Sequence, residues 1–126
     1  MSRLVFILGK SGTGKSTSLR DLTNKEVSVI SVLGKELPFK TDIKQFRPNS
    51  YEDVIRAVEA SKTPMVVLDD AHYLMSLFEF KTASEAGYGK FLRNAQGMVS
   101  VFEAMRSKDS DQTFYVMAHT EDNDDG

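Results

Sequence analysis

The chain has 126 residues, a length that suits one domain able to bury about two-thirds of its unfolded surface. With 40% hydrophobic residues, 27% charged residues and a net charge of −2, it has the balance of a soluble globular protein, and its overall charge does not advertise nucleic-acid binding. It has no cysteine, which excludes disulfides and thiolate metal sites, and no apolar run approaches the roughly 20 residues of a membrane span.

The first apolar run, Leu4 to Leu8, ends at Gly9 and predicts a strand buried on both faces, as in a parallel sheet. It is too short for a signal peptide and leads into a glycine-rich loop instead of a small-residue cleavage site. Lys15 to Leu22 reads as a short helix and Val27 to Val32 as a second strand. Residues 33–50 hold Gly34, Pro38 and Pro48 with no clean period and read as loop.

Ser50 followed by Asp53 predicts a capped helix start, and Tyr51, Val54, Ile55 and Val58 share one face of the helix that follows. Met65 to Leu68 is a third buried strand, residues 71–80 a helix, and "KTASEAGYG" a loop. Tyr88, Phe91, Leu92, Ala95, Met98, Val99, Phe102 and Met105 recur at helical spacing and predict a long helix over 88–107 that packs this stripe into the core. Thr113 to Ala118 is the fourth strand, and residues 121–126, "EDNDDG", read as an acidic, disordered tail after a core of 1–120. Strands alternating with helices predict an α/β fold with a mostly parallel sheet.

Gly9-Lys10-Ser11-Gly12-Thr13-Gly14-Lys15-Ser16 fits the phosphate-loop pattern G-x-x-x-x-G-K-[ST] at every fixed position, with a strand before it and a helix after it. Glycines let successive N–H groups converge on phosphate oxygens, and the helix that opens there adds its partial positive charge. Lys15 is placed to reach the β- and γ-phosphates and the Ser16 hydroxyl to ligate Mg²⁺, with Thr17 following in the same turn. ATP and Mg²⁺ are therefore the expected ligands.

"VVLDDAHYL", residues 66–74, sets two acids directly after an apolar run, where desolvation and mutual repulsion are costly. A cation at Ser16 supplies the reason. Asp69 is the expected carboxylate ligand, the Walker B position, and Asp70 either handles an attacking water or caps the next helix. His72 reads as a structural hydrogen-bond partner. His119 and Thr120, ending the fourth strand, stand where many P-loop ATPases place a polar residue that senses the γ-phosphate, or are an ordinary polar strand end.

Two basic stretches are candidates for nucleic-acid contact. Residues 35–47, "KELPFKTDIKQFR", mix four basic residues with Phe39 and Phe46, but Glu36 and Asp42 dilute the charge, so a solvated loop with two core-anchoring phenylalanines is expected. Lys81, Lys90 and Arg93 form the second, weaker candidate.

With "GKSGTGKSTSLRDL", "VLGKELPF", "VVLDDAHYL" and "YVMAHTED" in this order, the chain resembles the phage-encoded RecA-like ATP-binding proteins over nearly its whole length. The resemblance implies a three-layer P-loop NTPase, Mg-dependent ATP binding and hydrolysis, single-stranded DNA as partner in recombination or replication, and a host-cytoplasmic setting. Two departures stand out. Such relatives commonly carry a catalytic glutamate at the end of the second strand, where the nearest here is Glu36, so the general base is divided between Glu36 and Asp70. They also continue to a fifth strand beyond the first; a chain truncated before it is expected to leave the first strand as an open edge that favours a homo-oligomer. A small-molecule kinase and a nucleotide-gated DNA-binding or assembly module without turnover are the competing readings.

Overall fold

The computed structural model describes residues 2–9, 22–34, 42–85 and 87–119. In chain order these form β1 (Arg3–Gly9), β2 (Val27–Ser31), β3 (Gln45–Phe46), α1 (Tyr51–Ala60), β4 (Met65–Asp69), α2 (Tyr73–Lys81), α3 (Tyr88–Ser107) and β5 (Thr113–His119). The fold is α/β. Its five strands make one sheet in the order β1-β5-β4-β2-β3, and every pair is parallel. All the carboxyl ends therefore lie along one edge, the edge where open α/β sheets bind ligands.

Strand alternation divides the core in two. Ile30, Val66, Leu68, Phe114 and Val116 face α1, α2 and α3, which supply Val54, Val58, Leu74, Val101 and Met105. Val27, Val29, Val67 and Met117 build a second cluster on the opposite face, with Ile7 and Leu22 against it. Leu22 is the one described residue of the helix expected over Lys15–Leu22; the rest of that segment, 15–21, lies outside the described residues.

The start of α1 is fixed locally. Ser50 accepts a hydrogen bond from the Asp53 amide at 3.2 Å, and the Asp53 carboxylate accepts from the Asn49 amide at 2.9 Å. This is the capping arrangement with its return bond shifted by one residue. The end of α1 is closed from a distance: the Lys108 amine, after α3, donates to the carbonyl of Val58 at 3.0 Å and of Ser61 at 2.5 Å. Cations suit the orphan carbonyls of a helix end.

Four expectations are corrected. β1 is not buried on both faces: it is an edge strand pairing, among the described residues, with β5, and Phe6 and Leu8 are 52% and 63% exposed. An apolar run reports dislike of water, not the number of neighbours, so it could not separate edge from centre. The loop expected over 33–50 contains β3, two residues paired with Val29 and Ile30. Phe46 is exposed and does not anchor the core; Ile43 does.

The apolar stripe of α3 is also only half core. Val101 and Met105 are buried, but Tyr88, Phe91, Leu92 and Val99 are exposed. Length explains the first three, whereas Val99 lies beside packed Met98 and buried Val101 on the outer side of the helix. A 20-residue helix spans about 30 Å, whereas strands of five to seven residues span about 17–23 Å. The carboxyl end of α3 sits near the start of β1, where the Ser2 hydroxyl donates to the Met105 carbonyl. Its amino-terminal half therefore projects past the carboxyl edge of the sheet.

Candidate active site

The residues singled out by sequence meet at that edge to the extent that they are described. β1 ends at Gly9, where the phosphate-loop pattern begins, and Gly9 is the register partner of His119, the last residue of β5. β5 pairs with β4 on its other side, and β4 ends at Asp69. The register puts Asp69 level with Met117 and Ile7, two residues short of Gly9, so with strands about 4.8 Å apart and about 3.3 Å per residue the ends of β1 and β4 lie roughly 12 Å from each other across β5. Lys10, Ser11, Gly12, Thr13, Gly14, Lys15, Ser16 and Thr17 lie outside the described residues, as do Glu36 and Thr120.

Asp70 has a backbone unlike that of its neighbours. Its φ is +57°, the one positive φ at a non-glycine among the described residues, and it is 3% exposed. A left-handed aspartate costs about 1–2 kcal/mol relative to the ordinary conformation, and such residues gather at functional sites. The turn is stitched into the sheet: the Ala71 amide donates to the Met117 carbonyl at 3.0 Å, and the Tyr73 amide to the Asp70 carbonyl at 3.0 Å. In a continuing strand, Asp69 and Asp70 would point to opposite faces. The left-handed residue breaks that alternation at the second acid.

The helix-capping alternative for Asp70 is corrected by the position of α2. Its N-cap is His72, which makes no side-chain capping bond, and the helix starts at Tyr73 rather than 71. The His72 ring packs on that of Tyr73, with centroids 4.2 Å apart.

One residue at this edge escaped the sequence reading. Ser31, the last residue of β2, is the register partner of Asp69 and only 1% exposed, yet its hydroxyl has no hydrogen-bond partner. Alternation puts Ser31 with Val27 and Val29, and Asp69 with Val67, so both belong to the face opposite α1 and α3. The available signal was a small polar residue closing an otherwise apolar strand.

No group of three histidines or carboxylates that could cage a metal occurs among the described residues. Mg²⁺ does not need one, because it keeps several waters and takes one or two carboxylates beside substrate phosphates. Asp69 with an orphaned hydroxyl beside it fits such a hydrated cation, with Ser16 as its expected second protein ligand.

The second basic candidate is only partly laid out for phosphates. Lys90 meets Glu79 at 3.4 Å, Arg93 pairs with Glu85, and the Lys81 amine donates to the Asn49 carbonyl. Lys81 and Arg93 line a cavity of about 320 Å³ with Ser50, Tyr51, Phe78 and Gly97, which neither Asp69 nor Asp70 reaches. Along the projecting end of α3, the exposed rings of Tyr88 and Phe91 stack with centroids 6.0 Å apart. Among the described residues, no helix is long and apolar enough to cross a membrane. No protein-family model and no curated protein sequence matches this chain.

Proposed function

We propose that this chain is a Mg-dependent P-loop ATPase of the RecA-like kind, acting with single-stranded DNA in phage recombination or replication in the host cytoplasm. The observation that carries the reading is the alignment of Gly9, His119 and Asp69 along one edge of an all-parallel sheet, with β5 between the strand that opens the phosphate loop and the strand that ends in the acid pair. Ser31 and the left-handed Asp70 add buried polar groups at the same edge.

In this reading the backbone of residues 9–14 wraps the phosphates and Lys15 neutralises their charge. Asp69 and Ser16 hold Mg²⁺, which when bound offsets charge on the β- and γ-phosphates. Asp70, or Glu36, accepts the proton of the attacking water. His119 is the candidate γ-phosphate sensor, and the stacked Tyr88 and Phe91 offer bases a platform.

Thermal melts of the wild type and Lys15→Ala, with and without Mg-ATP, test the reading. A ligand at a hundred times its dissociation constant stabilises by about 2.7 kcal/mol, several degrees for a domain of this size. Lys15→Ala is expected to fold and lose that shift; a full shift in the variant removes the phosphate-loop assignment. Turnover with and without single-stranded DNA separates the ATPase from its rivals: phosphate transfer to a nucleoside would mark a kinase, and tight binding without turnover an assembly module.

A further inference from the structure

We infer that Ser31 is a positioning residue of the Mg²⁺ site, its buried hydroxyl holding a water of the cation's hydration shell beside Asp69. The inference rests on the Mg-ATP reading and adds to it a residue that the phosphate-loop and acid-pair motifs do not contain.

A hydroxyl taken out of water without a partner is unfavourable, and buried polar atoms in folded proteins are overwhelmingly bonded. Ser31 is 1% exposed and its Oγ is the one buried side-chain polar atom without a partner among the described residues. It is not enclosed at random within the core. It closes β2 at the carboxyl edge, in register with Asp69 on the adjacent strand and on the same face of the sheet.

The chemistry of Mg²⁺ matches this placement. The ion binds through few protein ligands and retains water, and the waters it keeps are polarised donors. A carboxylate at Asp69 takes the inner position. A serine hydroxyl on the neighbouring strand, about 4.8 Å away, would suit a water in the shell of an ion held by that carboxylate. Groups at that second distance orient the first-shell ligands and commonly change metal affinity. The hydroxyl, which has no protein partner among the described residues, would thus gain one in the loaded chain.

This gives Ser31→Ala an unusual pair of signs. Removing an unpartnered hydroxyl should leave the melting temperature of the free protein equal to or above that of the wild type. The same change should weaken Mg-ATP binding about 2- to 10-fold, the worth of one hydrogen bond. In EDTA, the affinity for ATP should be the same in both proteins. Ser31→Thr, which keeps the hydroxyl, should restore most of the Mg-dependent affinity.

Calorimetric titration of the full chain with ATP, in MgCl₂ and in EDTA, together with melts of the free proteins, decides the matter. Unchanged Mg-ATP affinity in Ser31→Ala overturns the inference while leaving the ATPase reading standing. So does an equal loss in EDTA, which would put the hydroxyl on the nucleotide itself, or a clear drop in the free protein's melting temperature, which would make Ser31 a structural residue. A wild type that binds no Mg-ATP removes the ATPase reading and the inference together, and that outcome is recognised before any variant is made.

Discussion

Gly97 of α3 lies directly against the ring of Tyr51 of α1: a Cβ at position 97 would come within 2.7 Å of the tyrosine Cγ and closer still to its ring edge. The same tyrosine's hydroxyl donates to Asn94 Oδ1, one turn earlier on α3. Glycine at 97 is therefore a contact surface. Gly97→Ala gains up to about 1 kcal/mol of helix propensity but forces two helices apart, at a cost of about 1–3 kcal/mol or more. The net expectation is a lower melting temperature, read by thermal or urea denaturation. A more stable variant would mean that the ring moves aside at little cost.

Tyr51 also sets a pH dependence. Burial, with a smaller contribution from Glu79, pushes its hydroxyl up to about 12 from an ordinary 10. Because the folded value lies above the unfolded one, the contribution is fully present below pH 10 and is lost as pH rises towards 12, where the unfolded chain releases the proton first. Lysines titrate in the same window, so the quantity to measure is the difference between wild type and Tyr51→Phe. The wild type should lose more stability than the variant between pH 10 and 12. Parallel curves would contradict the burial of that hydroxyl.

At the acid pair, isosteric changes should separate two roles. If Asp69 holds Mg²⁺ as proposed, Asp69→Asn keeps the shape but loses the charge that would face the cation, so Mg-dependent ATP binding should weaken. Asp70→Asn should fold normally, since asparagine tolerates the left-handed backbone, and should preserve binding while lowering turnover about 10²- to 10⁴-fold if Asp70 is the general base. Normal turnover in Asp70→Asn alongside an inactive Glu36→Gln would assign the base to Glu36.

If DNA is the partner, Tyr88→Ala and Phe91→Ala should each weaken single-strand binding by about 1–3 kcal/mol without changing the melting temperature, because both rings are exposed. The nearby Arg93–Glu85 pair is itself about half exposed on each side and worth little, so Arg93 could exchange it for a phosphate. Fluorescence anisotropy with a labelled oligonucleotide reads the loss. Wild-type affinity in the double variant would place the DNA elsewhere.

The strands over Val27–Ser31 and Met65–Asp69 and the helix over Tyr88–Ser107 were legible because long apolar periods and flanking breakers specify them. The edge position of β1 followed from the strand order that the resemblance implies and not from its own apolar run, since pairing is decided by residues far away in sequence. Two residues of β3 are too few to show a period. Tyr88, Phe91 and Leu92 are solvent-facing because the helix outruns the sheet, a comparison of lengths that no local pattern contains. At the carboxyl edge, the acid pair draws attention to Asp69 from sequence alone, whereas Ser31 stands out only when its surroundings are known: a hydroxyl's lack of a partner is a property of the packing around it. The left-handed turn at Asp70 likewise depends on how residues 70 and 71 are tied to β5.

β1 is joined to the sheet, among the described residues, along one seam only, its seven-residue ladder with β5. A strand held on one side separates at a lower free energy than strands flanked on both, such as β4 and β2. The segment that carries Gly9 into the glycine-rich sequence is then mounted on an edge strand, as β3 is at the other side of the sheet. If that sequence grips phosphate as proposed, its grip and the cohesion of the β1–β5 seam become one thermodynamic quantity: a ligand held there slows the opening of that seam, and whatever loosens β5 weakens the hold. Amide exchange would show this coupling as ligand-dependent protection concentrated in β1 and β5, while β4, already limited by global unfolding, follows overall stability alone.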